Sequence, residues 1–94
     1  MADKKQTLKL PPQSIEAEQA VLGCMLIDPE AVSRVLHILN EKSFYNSSHS
    51  YVYTAITNLF EKNQTIDNIT VTDELKKIGK LEEIGGAYFI TGLS

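Results

Sequence analysis

The sequence predicts an all-α fold, a small orthogonal bundle of about four main helices plus short helical turns. Three observations lead to this prediction. Apolar residues recur at three- and four-residue spacing along most of the chain, as they do on one face of a helix. Helix-capping residues precede these stretches, and proline or glycine bounds them. Clear strand alternation is lacking, and only residues 65–72 have the composition of a weakly pairing strand.

The N-terminal part divides into a tail and a first helix. Residues 1–13 are polar and aperiodic and end in Pro11-Pro12, which cannot lie inside a helix, so we expect a flexible tail. The helical domain is expected over residues 14–94. Its first helix is predicted over residues 14–27, with the serine at its start as the N-cap. Because the second half of this helix is apolar on every side, we expect it to be central and buried.

The second helix is predicted over residues 29–40. Asp28 can cap it, and Pro29 suits the first helical position, where its missing N–H would have no partner in any case. Its inward stripe consists of Val32, Val35, Leu36 and Leu39. His37 falls off this stripe and is expected to be exposed. A single helical turn that anchors two aromatic rings is predicted at residues 43–45.

The third helix is predicted from a cap at Ser47 or Ser48 to about Lys62. Its inward stripe consists of Val52, Ala55, Ile56, Leu59 and Phe60. Tyr51 and Tyr53 lie off that stripe on different faces, so both are expected to be at least partly exposed. Two further aromatic residues are expected in the core or at its edge: Phe44 and Tyr45.

The fourth helix is predicted to begin after a cap at Thr70, with Asp73 three residues on completing a capping box. It ends before Gly79, which suits the left-handed position after a helix terminus. A short turn at residues 81–84 and the pair Gly85-Gly86 then precede a final helix. Because the chain stops just as this helix begins, we expect it to be an excised fragment.

Composition limits the kind of partner. The 94 residues leave room for one domain and carry a formal net charge of −3. Arg34 is the only arginine, and the only basic doublets are Lys4-Lys5 and Lys76-Lys77. Duplex-DNA binders usually carry a basic stripe, so direct DNA binding is disfavoured. No apolar run approaches the length of a membrane helix and no signal peptide is recognisable, so we expect a cytoplasmic protein with no membrane partner.

Patterns typical of catalytic, cofactor-binding or metal sites are missing. Gly79-Lys80 is the only Gly-Lys pair, and the residues around it do not complete a phosphate loop. His37 and His49 are predicted on different helices without ligand partners at helical spacing, and His49 is expected to cap or pack. Cys24 is expected to be buried and inert. Glu82-Glu83 is expected to be a solvated pair. We therefore expect no catalytic, cofactor-binding or metal residues, and recognition remains as the function.

The order of short motifs is more informative than any single residue. Residues 11–23, Pro-Pro-Gln-Ser-Ile-Glu-Ala-Glu-Gln-Ala-Val-Leu-Gly, resemble the opening of DnaB-type replicative DNA helicases, and residues 26–29 continue the resemblance. The later matches follow in the family's order and spacing: Phe44-Tyr45, His49, Ala55-Ile56, Ile69–Thr72 with Glu74-Leu75, and Leu81–Gly86. Together they span residues 11–93.

The resemblance implies a non-catalytic N-terminal head. In that family an all-helical head is followed by a helical hairpin, a linker and a RecA-like ATPase domain, all of which this chain lacks. Six subunits form a ring, and their heads form a collar arranged as a trimer of dimers. The collar docks DnaG-type primase. ATP, Mg²⁺, most DNA contacts and the 5'-3' unwinding activity belong to the missing C-terminal domain. Because the hairpin makes much of the dimer contact, dimerisation and full primase binding by the head alone stay open.

Two adjacent aromatic residues are the candidate partner contacts. Tyr88 and Phe89 lie side by side in the final helix, so one should point inward and the other outward. At this position, next to the paired glycines, the family often has small residues and a single tyrosine, so two large aromatic residues are a departure from its pattern. Carrying the family's partner surface onto this chain, we predict Phe89, and then Tyr88, as protein-contacting residues.

Two alternatives stay open. A helix-turn-helix regulator would use the second to fourth helices to read DNA, but the predicted exposed positions of the third helix are mostly uncharged or acidic, unlike a recognition helix. These positions are Thr54, Thr57, Asn58 and Glu61. The second alternative is a structural spacer that associates only with its own copies.

Overall fold

The structure, a computed structural model, describes residues 14–93. These residues form five α-helices and one 3-10 turn and contain no strand, which confirms the all-helical fold class. The elements are α1 (Ile15–Ile27), α2 (Pro29–Ile38), the 3-10 turn (Glu41–Ser43), α3 (Ser47–Glu61), α4 (Asn68–Lys77) and α5 (Ala87–Leu93). The predicted flexible tail, residues 1–13, lies outside the described residues. None of the described helices is long and apolar enough to cross a membrane.

Helix α3 is at the centre of the packing. It contacts α1, α4 and the 3-10 turn, while α5 packs on α1 and α4, and α2 packs on α1. One continuous core joins these elements. Its fully buried aliphatic side chains are Leu22, Met25, Val32, Val52, Ile56, Val71, Leu75 and Ile90. Burial of each such side chain contributes about 1.5–3 kcal/mol, so the core is the main source of stability.

The start of α1 is as predicted, but its burial is not. The Ser14 hydroxyl caps the helix by accepting a hydrogen bond from the Ala17 N–H at 3.2 Å. The side of α1 that faces the other helices is buried, as at Leu22, whereas Cys24 and Ile27 on the opposite side are exposed. The predictions of an all-round buried helix and of a buried Cys24 are therefore wrong. None of the other described helices covers the outer side.

The N-caps of α2 and α3 show which of several neighbouring polar residues caps a helix. The Asp28 carboxylate caps α2, as predicted, and accepts from the Glu30 N–H at 3.0 Å. At α3 the cap is Asn46, not Ser47 or Ser48. The Asn46 side-chain oxygen accepts from two backbone N–H groups, at 2.8 and 3.2 Å. Its side chain, longer than that of serine, reaches both of these otherwise unpaired donors.

Helix α4 starts three residues before its predicted first residue. Its cap is Asp67, whose carboxylate accepts from the Thr70 N–H at 2.8 Å, and the Thr70 hydroxyl accepts from the Asp67 N–H at 2.9 Å. The predicted capping box of Thr70 with Asp73 is therefore wrong, and Thr70 is the third helical residue of the real one. A carboxylate at this end also interacts favourably with the helix dipole. Gly79 has a φ of +76°, which confirms the left-handed residue after the helix.

The short turn after α2 and the burial of several aromatic side chains between α2 and α4 differ from prediction. The 3-10 turn lies two residues before the predicted turn, and it is followed by a buried Phe44 and an exposed Tyr45. Tyr53, predicted to be partly exposed, is buried because its hydroxyl donates to the Leu39 carbonyl at 2.7 Å and its ring packs on Phe44 with centroids 5.1 Å apart. Phe60, predicted to point inward, is 42% exposed.

Candidate functional site

The C-terminal helix begins at a double-glycine turn. Gly85 and Gly86 have φ angles of +105° and +79°, which residues with a Cβ atom adopt only with strain. The Gly86 N–H donates to the Leu81 carbonyl at 2.9 Å, and the Gly86 carbonyl accepts from the Phe89 N–H at 3.1 Å. The turn therefore starts α5 directly after the glycines, as predicted, and sets which of its side chains face the core.

Tyr88 and Phe89, the two predicted contact residues, take opposite environments. Tyr88 is 88% exposed, whereas Phe89 is half-buried and packs against the core. This confirms that one points outward and the other inward. Ile90 and Leu93 are buried below them and hold α5 on the domain. Tyr88 is therefore the side chain of this pair that is free to enter a partner, while Phe89 also supports the fold.

A hydrogen-bonded pair, His49 and Glu18, lies beneath Phe89. The His49 ring is only 1% exposed, and its centroid lies 5.8 Å from that of Phe89. His49 Nδ1 donates to Glu18 Oε1 at 2.7 Å. This contact joins α1 to the first turn of α3 and places both under α5. The prediction that His49 packs agrees with its buried position against Phe89.

The Glu18 carboxylate gathers three donors. Besides His49, the Tyr45 N–H donates to Oε2 at 2.7 Å and the Asn46 N–H donates to Oε1 at 3.3 Å. Burial by itself raises the pKa of this carboxyl, but these hydrogen bonds outweigh burial, so the pKa of Glu18 lies below its usual value. The charged carboxylate therefore stabilises the junction of α1 and α3. The sequence motif contained Glu18 and His49 but no sign that they meet.

A single basic side chain borders the turn before α5. Lys80 Nζ lies 4.8 Å from the ring centroid of Tyr51 and 3.5 Å from Glu83 Oε1. The negative charge of Glu83, and next the Tyr51 side chain, raise the pKa of Lys80. The ammonium is thus held against this domain by contacts that are common for a surface cation.

A second buried carboxylate has a structural role. Glu74 is 3% exposed, accepts from Asn58 Nδ2 at 3.0 Å and lies 3.2 Å from Lys62 Nζ. Burial alone raises the pKa of Glu74, but the contacts with Asn58 and Lys62 outweigh burial and hold the pKa below its usual value. Asn58, predicted to be exposed on the third helix, is therefore half-buried and joins α3 to α4.

Several large apolar side chains are exposed on the surface. Helical periodicity had placed some of them in the core and had not identified the others as exposed. Ile27 and Ile69 line a shallow depression of about 370 Å³ between α1 and the start of α4. Other exposed apolar side chains are Ile38, Tyr45 and Phe60. Aromatic and aliphatic side chains of this kind form the centres of protein interfaces. Within residues 14–93, no three His, Cys, Asp or Glu side chains converge as metal ligands.

Comparison with known proteins shows which family this domain resembles. The profile of the DnaB-like helicase N terminal domain family matches residues 10–94. A replicative DNA helicase DnaB of Rhodothermus marinus is 46% identical over 90 residues, which are 96% of this chain and 10% of that protein. A replicative DNA helicase DnaC of Bacillus subtilis is 41% identical over 86 residues, which are 92% of this chain and 19% of that protein.

A solved structure extends the likeness to three dimensions. The crystal structure of the N-terminal domain of DnaB helicase from Mycobacterium tuberculosis superposes with a TM-score of 0.85 at 42% sequence identity. The match covers 89% of this chain and 61% of that one, so this chain spans only part of each of these relatives. The profile, the identities and the shared fold agree, and the chain belongs to the DnaB-like helicase N-terminal domain family.

Proposed function

We propose that this domain is the non-catalytic N-terminal collar domain of a hexameric replicative DNA helicase, where it mediates subunit association and docks DnaG-type primase. The observation that carries the proposal is the family match over residues 10–94, together with relatives that are themselves replicative DNA helicases. Subunits would associate as dimers and then as a trimer of dimers. ATP and Mg²⁺ binding, most DNA contacts and unwinding would belong to the C-terminal part of the parent protein, in the cytoplasm.

The surface supports recognition of a protein. Tyr88 presents almost its whole side chain to solvent, on a helix anchored to the core by Ile90 and Leu93. A tyrosine has only about two side-chain torsions to order on binding and buries a large ring, which is why tyrosine is enriched at binding hot spots. Phe89 would contribute at the edge of the same surface, so both predicted residues stay in the proposal.

The test is a calorimetric titration of this chain with the C-terminal helical domain of its own organism's primase. We expect saturable binding that Tyr88→Ala weakens by about thirtyfold, since hot-spot truncation costs roughly 2 kcal/mol. Ile38→Ala, which removes an exposed apolar side chain from α2, serves as the control and should leave affinity unchanged. Phe89→Ala should also weaken binding, with its melting temperature measured to separate contact from folding.

Two results would decide against parts of the proposal. If the wild-type chain and a longer chain that includes the following helical hairpin both fail to bind, primase docking is wrong. If the longer chain binds and Tyr88→Ala has no effect on it, docking stands but the site lies elsewhere. Sedimentation across a concentration series tests subunit association separately, and association without primase binding in either chain would favour the structural spacer.

The helix-turn-helix alternative has little support from charge. Helix α3, the central helix that would have to read bases, contains no lysine or arginine along Ser47–Glu61. Its inward side is buried in the core, and Asn58 is engaged with Glu74. A gel shift with duplex DNA at low and moderate salt would reveal this function, because phosphate contacts make binding strongly salt-dependent. We expect no shifted band.

A further inference from the structure

A second recessed surface lies between α2 and α3, on elements other than α5. Helices α2 and α3 both pack on α1. A gap lies between them along one side. Two adjoining depressions of about 360 and 380 Å³ occupy this gap, and the Phe60 side chain lines both. We call this gap the α2–α3 groove.

The floor of the α2–α3 groove is apolar and follows the length of α2. Pro29 and Val32 line one depression, and Leu36 and Leu39 line the other. Pro29, Val32 and Leu36 are spaced by three or four positions and so lie on one side of α2. Leu39 follows directly after the helix end. Because α2 has ten residues, the groove extends for about 15 Å, the length of roughly three turns of a partner helix. Phe60, 42% exposed, is the large ring at its middle.

The charge on the α2–α3 groove has one sign. Glu41 and Glu61 border the depression that contains Leu39, and both are exposed. No Lys, Arg or His side chain lines either depression. Glu41 faces the groove closely enough that its charge adds to burial in raising the pKa of Tyr53. An occupant would therefore meet an apolar floor and a negative border at one end.

We propose that the α2–α3 groove binds a short amphipathic helix of another protein, with apolar side chains at positions i, i+3 or i+4 and i+7 and with Lys or Arg beside them. The apolar anchors contact Leu36, Leu39 and Phe60, in the manner of helices that bind in apolar grooves. The basic side chains lie against Glu41 and Glu61 and set the direction of the helix. This site goes beyond the proposed docking of primase through Tyr88 and is independent of it.

The probe is a fluorescein-labelled synthetic peptide of about 14 residues, with leucines on one helical face and lysines elsewhere. Fluorescence anisotropy should show saturable binding to the wild-type chain. Glu61→Lys and Glu41→Lys should each weaken binding by about tenfold, because each reverses a charge next to the bound lysines. Glu82→Lys makes the same change of charge at an exposed site in the turn before α5, and should change affinity by less than about twofold.

Further arms identify where the peptide lies and what else could fill the groove. Amide chemical-shift changes should fall on α2 and α3 and spare Tyr88. Chemical-shift changes confined to α5 would overturn the proposal. So would a loss of peptide affinity in Glu82→Lys as large as in Glu41→Lys and Glu61→Lys. A third contrary result is equal affinity for a peptide of the same composition whose leucines are spread over all faces of the helix. A dimer of the chain that Phe60→Ala dissociates in sedimentation would assign the groove to a second copy instead.

Discussion

Isoleucine side chains in this domain occupy both extremes of solvent exposure. Ile56 on α3 is 0% exposed and Ile69 on α4 is 80% exposed. Ile56→Ala should lower the free energy of unfolding by about 2–5 kcal/mol, since it removes buried methyl groups and leaves a cavity. Ile69→Ala should change it by no more than about 0.5 kcal/mol. Urea denaturation followed by circular dichroism at micromolar concentration gives both values, and a similar loss in both variants would contradict the assigned burial.

The Glu18 carboxylate makes stability depend on pH. Its pKa in the folded state is lowered, so its contribution is fully present above the ordinary glutamate value of 4.5 and is lost as the pH falls below it through the lowered folded value. Glu18→Gln should therefore be less stable than wild type at pH 7, by about 1–3 kcal/mol, and the difference should shrink at pH 3.5. Urea midpoints at the two pH values measure this.

The matched control for Glu18 is Glu16, an exposed carboxylate in the first turn of the same helix. Glu16→Gln removes the same charge near the helix N-terminus but no hydrogen bonds to His49 or to the α3 cap. It should cost no more than about 1 kcal/mol at pH 7. If Glu16→Gln and Glu18→Gln lose the same stability, the helix dipole rather than the buried network explains the effect.

At the scale of single elements, the glycines of α4 and α5 should respond to alanine with opposite signs. Gly79 ends α4 with a φ of +76°, which alanine adopts only with strain, although nothing lies near the added methyl. Gly79→Ala should lower the free energy of unfolding by about 1 kcal/mol. Gly92 lies inside α5, outside the left-handed region, and has open space around it. Gly92→Ala should leave stability unchanged or raise it by up to about 1 kcal/mol.

The melting temperatures of Gly79→Ala, Gly92→Ala and the wild-type chain test these two predicted changes in stability. Both substitutions add one methyl group to a surface position, so hydrophobic burial contributes little to either. A stabilised Gly79→Ala variant would mean that the chain leaves α4 by another backbone path. A strongly destabilised Gly92→Ala variant would mean that α5 requires a close approach at that position.

At the scale of the whole molecule, α3 should be the last element to open. It packs on α1, α4 and the 3-10 turn and supplies six buried residues, whereas α5 has seven residues in all. Elements with more buried contacts need larger openings before their amides exchange. Native-state hydrogen exchange should therefore find the slowest amides in the middle of α3 and faster exchange in α5. Slowest exchange in α5 would contradict the central position of α3.

Local signals in the sequence were sufficient to predict which segments form helices. Ser14 and Asp28 are caps, and Gly79 ends α4, as their residue types indicate. The caps that were missed, Asn46 and Asp67, lie one to three residues before the predicted ones, among other polar residues. Propensity ranks such neighbours almost equally, so the cap is decided by which side chain reaches the free N–H groups.

Residue order was also sufficient for the family, because many weak motifs occurred together at the right spacing. For the candidate site it predicted that only one of Tyr88 and Phe89 faces outward, and periodicity could not tell which. The α2–α3 groove was not predicted at all. Leu36 and Leu39 have the spacing of core residues and do pack against the core. Spacing alone does not reveal that they also line a recess beside α3.

The sequence by itself determined the all-helical class, the order of the helices and most of their ends, since these depend on interactions within a few residues of the chain. Only the tertiary structure decided that Cys24, Ile27 and Phe60 are exposed, that Tyr53 is buried and that His49 meets Glu18. Helical periodicity gives the direction in which a side chain leaves its own axis. It does not give the number or distance of the helices around that axis, and those neighbours determine which side chains remain exposed.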